Sequence, residues 1–229
     1  MQAGHARNVW VVIAAYNEAS VIARVIADVR RCGLDVVLVD DGSVDATAEI
    51  AERAGAVVVR HPVNLGQGAA LQTGIEFALQ RSADVIVTFD ADGQHRAADI
   101  AGLIEALSKF DADFALGSRF LGRTVDLPPT RRFLLKAATA FTRLASGLDL
   151  TDTHNGLRAM TRRGASEIRI RQNRMAHASE LLNQIAASGF KYVEVPVTIE
   201  YSAYSLAKGQ KLGDALSILV DLSARRLHQ

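Results

Sequence analysis

Val85-Ile86-Val87-Thr88-Phe89-Asp90-Ala91-Asp92-Gly93-Gln94-His95 is the decisive stretch of this chain. An apolar, β-rich run closes on two carboxylates one residue apart, with a carboxamide two positions on. Such a run reads as a buried strand, and strand ends are where α/β proteins hold ligands. Paired acids there suit a hard divalent cation facing a phosphate. Asp also favours turns on its own account, so the pair gains force only from what surrounds it.

Upstream, strand and helix signals alternate. Val9 to Ala15, Val36 to Val39 and Ala56 to Val59 read as strands. Glu18 to Arg31 carries Val21, Ile22, Val25, Ile26 and Val29 at helical spacing. Further helices are expected from about Asp45 to Ala54, from Gly68 to Gln80 and from Ala97 to Phe110, with another strand beginning at Phe114 to Gly117. This alternation predicts an α/β fold whose mostly parallel sheet has helices on both faces. After the rigid Leu127-Pro128-Pro129, helices are expected from Arg131 to about Ser146 and from Met175 to Ser188. Thr151 to Met160 reads as loop and short strand, Tyr192 to Ile199 as an extended segment. Gly209 opens a last amphipathic helix. No linker interrupts the chain, so residues 1–229 read as one domain with an elaborated second half.

The 229 residues suffice for a sizeable core, and a formal net charge of +1 makes no electrostatic case for nucleic acid. The single cysteine, Cys32, excludes an internal disulfide framework. No run reaches membrane-spanning length without charges, and the polar start does not resemble a signal peptide. A cytoplasmic protein is expected, with peripheral contact on the inner face of the cell membrane as a hypothesis. The amphipathic Gly209–Leu227 stretch motivates it, although such a stripe more often packs on its own domain or on a second copy of the chain.

Four strand ends carry polar clusters: Ala14-Ala15-Tyr16-Asn17-Glu18, Asp40-Asp41-Gly42-Ser43, Asn64-Leu65-Gly66-Gln67-Gly68, and Asp90-Ala91-Asp92. A parallel sheet brings them to one edge. Tyr16 can cover a base or ribose, and Glu18 or Asp41 can accept hydrogen bonds from either. Gly66 and Gly68 would let backbone N–H groups approach a phosphate at a helix start. Ser43 or Asp45 reads as a helix N-cap, and Asn64-Leu65-Gly66 reads equally as a plain strand-to-helix turn.

In order and spacing these four motifs resemble the signature of the family 2, GT-A-type nucleotide-sugar glycosyltransferases. Gly117-Ser118-Arg119, the basic Arg131-Arg132, Asp152 to Arg158 and Glu194-Val195-Pro196-Val197 resemble its polyprenyl-phosphate branch, the dolichol-phosphate-mannose synthase group. The resemblance implies a nucleotide-diphosphosugar transferase fold with a mixed, mostly parallel central sheet flanked by helices. It implies inverting transfer of a hexose from a GDP- or UDP-sugar to a polyprenyl phosphate, with Mg²⁺ or Mn²⁺. The metal pattern falls on Asp90, Asp92 and Gln94. Donor binding falls on Ala14, Tyr16, Glu18, Asp40, Asp41, Gly68, Asp90, Ala91 and Asp92 in residues 1–120. The acceptor side then falls in residues 121–229.

Arg119 and Arg131 are candidates to steady phosphates through forked hydrogen bonds, with Lys208 as the basic loop residue. Where the family usually has Pro, this chain has Ala14. A lipid phosphate needs no base, whereas a saccharide hydroxyl, the alternative acceptor in surface polysaccharide or glycolipid assembly, needs one. Glu180 is the candidate base, and equally a helix-start carboxylate favoured by the macrodipole. A nucleotide-sugar-binding module without chemistry is a third reading, opposed by the intact Asp90, Asp92 and Gln94.

Overall fold

The computed structural model describes residues 7–172, 176–202, 204 and 205. Seven strands form one sheet in the order β3-β2-β1-β4-β6-β5-β7. The first four are β1 (Val9–Ala15), β2 (Asp35–Asp40), β3 (Val57–Arg60) and β4 (Val85–Asp90), all mutually parallel where they pair. The helices between them are α1 (Ile22–Arg31), α2 (Thr47–Arg53) and α3 (Gln67–Gln80). Next come α4 (Asp99–Lys109), β5 (Phe114–Val125), α5 (Pro129–Ser146), β6 (Arg158–Thr161), α6 (Arg162–Glu167), α7 (Ala176–Ser188) and β7 (Tyr192–Glu200). Strand β6 is the reversal, running antiparallel to both β4 and β5, while β5 and β7 are parallel. The mixed, mostly parallel sheet is therefore the architecture expected from the sequence.

Both faces of the sheet are covered, which is why its strands are apolar at successive positions rather than alternating with polar ones. Along β1, Val9, Val11 and Ile13 join a core with Ile22, Val25 and Ile26 of α1 and Ile100 and Leu103 of α4. Trp10 and Val12 point the other way, into a core with Leu71 and Ile75 of α3 and Leu181 and Leu182 of α7. This two-residue alternation makes each strand a partition between two cores. All parallel strands consequently deliver their carboxyl ends to one edge.

Three elements differ from the sequence expectation. Helix α1 starts at Ile22 rather than Glu18, because the Glu18 N–H donates to Thr47 Oγ1 at 2.8 Å, holding residues 18–21 in a turn. Strand β5 runs on to Val125, past an irregularity between Ser118 and Arg123 in its pairing with β7. The short α6 was not expected; Thr161 caps it by accepting the Gly164 N–H at 3.1 Å. Lys208 and the Gly209–Leu227 amphipathic stretch lie outside the described residues.

Candidate active site

The carboxyl edge of the sheet opens into a cleft of about 480 Å³. It collects Tyr16 and Glu18 after β1, Asp41 after β2, Gly66 and Gln67 at the start of α3, and Asp90, Ala91 and Asp92 after β4. Arg131, His154, Gly156, Arg158 and His177 close the far side. The size is that of a small-molecule pocket.

Hydrogen bonds lock the β1 and β2 loops together. The Asn17 N–H donates to Ser43 Oγ and the Val44 N–H to Asn17 Oδ1, each at 2.9 Å. Asp41 then fastens both to α3. Its Oδ1 accepts the Leu65 N–H at 3.0 Å and pairs with His61 Nδ1 at 2.8 Å, and its Oδ2 accepts the Gly66 N–H at 2.7 Å. Ala14, Tyr16, Glu18 and Ala91 all face the cleft. Glu18 is buried, and its Oε2 accepts the Tyr204 O–H at 2.7 Å. Asp40 is not in the cleft lining. It is buried and accepts the Ser43 N–H at 3.1 Å, the turn-forming use of an Asp. Gly68 is also set back: a Cβ there would lie 2.1 Å from the Gln172 carbonyl oxygen and 3.1 Å from Ile170 and His177, so close packing of α3 on these residues demands glycine.

Asp90 and Asp92 stand side by side in contrasting electrostatic settings. Burial would raise the Asp90 carboxyl, but its hydrogen bond to His95 and the nearby His95, Arg158 and His177 outweigh that and hold it below the usual range. His95 Nε2 lies 2.9 Å from Asp90 Oδ2. Burial, then the negative charge of Asp90, pushes Asp92 up to about 6. A protein spends stability to keep a second carboxylate ionised there, and a cation between the two removes that cost. Oxygen-only donors suit Mg²⁺ or Mn²⁺, and one or two carboxylates completed by substrate phosphates is how Mg²⁺ is usually held. The residues therefore fit such an ion. Gln94 donates its backbone N–H to Asp92 Oδ1 at 3.0 Å, and the residue is not in the cleft lining. Among the described residues, no group of three or more His, Cys, Asp or Glu side chains is arranged to hold a metal without such help.

Arg119 and Glu180, both expected on the acceptor side, already have partners within the protein. Arg119 is 7% exposed and turned behind the cleft wall. Its Nε donates to Asp152 Oδ2 at 2.6 Å, Nη1 to Tyr201 Oη at 2.8 Å and Nη2 to the His154 carbonyl at 2.9 Å, so each nitrogen already has a partner. Glu180 is likewise occupied: its Oε2 accepts the Arg171 and Gln172 N–H groups at 2.9 and 2.7 Å, and it does not line the cleft. Arg131 does line the cleft, with its guanidinium 5.3 Å from the Tyr201 ring centre. His154, Gly156 and Arg158 lie in the Asp152–Arg158 stretch that carried the branch resemblance, but neither they nor His177 of α7 were assigned a role from the sequence. For the first three the reversed strand β6 explains this, since only the topology shows that the segment leading into it returns beside Asp90. Burial is the main reason that His154 is pushed down to about 4, so its ring is neutral at neutral pH.

The chain is similar to known proteins in sequence and in fold. The profile described as Glycosyl transferase family 2 matches residues 10–169. The chain is 30% identical over 223 residues to the UDP-N-acetylglucosamine–dolichyl-phosphate N-acetylglucosaminyltransferase of Methanococcus voltae, covering 88% of this chain and 89% of that one. It is 31% identical over 202 residues to the undecaprenyl-phosphate mannosyltransferase of Micrococcus luteus, covering 83% and 82%. In fold it is similar to glucosyl-3-phosphoglycerate synthase from Mycobacterium tuberculosis, solved with Mn²⁺, UDP and glucosyl-3-phosphoglycerate, with a TM-score of 0.70 at 20% identity, covering 92% of this chain and 75% of that one. With a GT-A fold, a cleft built on the four strand-end motifs and a family match over most of its length, this chain is a glycosyltransferase and belongs to glycosyl transferase family 2.

Proposed function

We propose that the enzyme moves a hexose, with inversion, from a GDP- or UDP-sugar to a polyprenyl phosphate, using Mg²⁺ or Mn²⁺. The observation that carries this reading is the polarity of the cleft: acids from β1, β2 and β4 on one side, Arg131 and Arg158 on the other. The names of the two relatives supply the acceptor class.

In this reading residues 1–120 hold the donor. Tyr16 covers the nucleoside, Glu18 contacts it, and Asp41 shapes the loop that receives it. Asp92, supported by Asp90, would hold the cation. When bound, a divalent cation neutralises charge growing on the departing diphosphate. An oxygen of the acceptor phosphate forms the new bond to the anomeric carbon while the bond from that carbon to the diphosphate oxygen breaks. A phosphomonoester is already ionised near neutral pH, so the protein need not remove a proton. The occupation of Glu180 by backbone N–H groups is consistent with that, and counts against a hydroxyl acceptor using it as base.

No helix among the described residues is long and apolar enough to cross a membrane. Peripheral contact through the 209–227 stretch, with Lys208 near the acceptor phosphate, belongs to the same proposal. Incubating the protein with labelled GDP- and UDP-sugars, Mn²⁺ and a polyprenyl phosphate tests the whole. Label should enter the lipid fraction as a phosphodiester. Label entering only a saccharide acceptor, or only free sugar, would overturn it.

A further inference from the structure

Arg158 opens β6, paired with Thr88 of β4 on one side and Leu116 of β5 on the other. It is 5% exposed and lines the cleft. Its guanidinium makes no hydrogen bond or ion pair among the described residues; Asp90 and Asp152 act on it only through their fields. That is unusual. A buried guanidinium without a partner is expensive, because desolvation is not repaid by a direct contact. The other buried arginine of this region, Arg119, has a partner on every nitrogen.

The sheet order says which anion the cleft offers it. Donor-side residues stand on β2 and β1, the acidic pair stands on β4, and β6 is the next strand beyond. The segment entering β6 presses against Asp90, since a Cβ on Gly156 would lie 2.3 Å from both Asp90 carboxylate oxygens. An anion at Arg158 therefore lies on the opposite side of Asp90 from the nucleoside. Arg131 and the neutral His154 line the same wall.

We propose that Arg158 is an acceptor-binding residue, whose forked guanidinium receives the phosphate of the acceptor and holds it facing the donor sugar. The inference rests on the phosphate-acceptor reading given above and deepens it. Five N–H donors in one plane match two phosphate oxygens, and exclusion of water strengthens each bond. The same wall leaves a neutral alcohol nothing to neutralise the buried charge, which makes Arg158 a selectivity element as well as an anchor.

The test compares the parent with Arg158→Gln and Arg158→Lys, using farnesyl phosphate as acceptor. Three quantities are read: the acceptor KM, the affinity for nucleoside diphosphate with Mn²⁺ by calorimetry, and the melting temperature. Arg158→Gln should raise the acceptor KM by about 30-fold or more, with Arg158→Lys falling between it and the parent. Nucleoside diphosphate affinity should stay within about threefold of the parent's, and the ligand-free melting temperature within about 3 °C. An unchanged acceptor KM, or an equal loss of nucleotide affinity, would overturn the assignment of Arg158 while leaving the phosphate-acceptor reading standing. A parent that neither binds nor glycosylates farnesyl phosphate, yet glycosylates a saccharide, would overturn both. If Arg158→Gln does not fold and Arg158→Lys melts well below the parent, the residue is structural and the proposal fails.

Discussion

Asp41 and Gly66 meet across a 2.7 Å hydrogen bond from the Gly66 N–H to Asp41 Oδ2, tying the end of β2 to the first turn of α3. With the Leu65 N–H and His61 also on this carboxylate, Asp41 is the fastening of the donor loop. Asp41→Ala leaves two N–H groups and an imidazole without their acceptor, at a cost of about 2–4 kcal/mol. The expected drop in melting temperature is about 5–15 °C, and nucleotide affinity should fall with it. A variant that melts like the parent would show that the loop does not depend on this side chain.

Asp92 is expected to reduce stability in the absence of a cation. Its carboxyl is raised to about 6. Between about pH 4 and pH 6 the folded chain keeps a proton that the unfolded chain has released, so this group subtracts from stability as pH rises through that window. Asp92→Asn should therefore melt at a higher temperature than the parent at pH 7.5 without metal, by a few degrees. The same change should abolish transfer. Thermal unfolding at pH 5 and pH 7.5 checks the sign: the difference between the two proteins should shrink at the lower pH.

Glu180→Gln distinguishes the two acceptor classes. With Oε2 holding two backbone N–H groups, the carboxamide can still accept both bonds, so kcat should stay within about threefold of the parent's and stability should fall by about 1 kcal/mol. A loss of a hundredfold or more in kcat at unchanged stability would mean that Glu180 moves a proton, and would favour a hydroxyl acceptor.

Arg119 and Asp152 form a buried pair at 2.6 Å. Removing either charge alone strands the other, at about 3–5 kcal/mol. Asp152→Ala should therefore unfold at a markedly lower denaturant concentration than the parent. A small change would show that the pair is less desolvated than its burial implies.

Most of the sheet could be read from the chain because each parallel strand is a continuous apolar run bounded by turn residues, and each intervening helix shows its own spacing. The donor rim was legible for the same reason, since Tyr16, Asp41 and Asp92 each follow directly on a strand. The acceptor side was legible only in part, through Arg131 and the Asp152–Arg158 stretch. Its residues come from the reversed strand β6, from α5 and from α7, which lie far apart in sequence and meet only through the sheet order. Arg158 sits among several arginines and differs from them only in being buried without a partner. Arg119 follows Ser118 on β5 with the same local look as a phosphate ligand. Its partners, Asp152 and Tyr201, are ones that no local pattern around Arg119 reveals. Gln94 has a ligand's spacing from Asp92, and its backbone N–H holds the same turn together.

Acids from neighbouring strands share one cleft, where they would hold a nucleoside diphosphate through a cation. Calorimetric titration of GDP and UDP into the parent and Asp92→Asn, with Mn²⁺ and with chelator, tests it most directly. The parent should bind at least one of the two with Mn²⁺, and that binding should be lost both on chelation and in the variant. Binding that survives the chelator and the substitution alike, or a parent that takes up neither nucleotide with Mn²⁺ present, would contradict it.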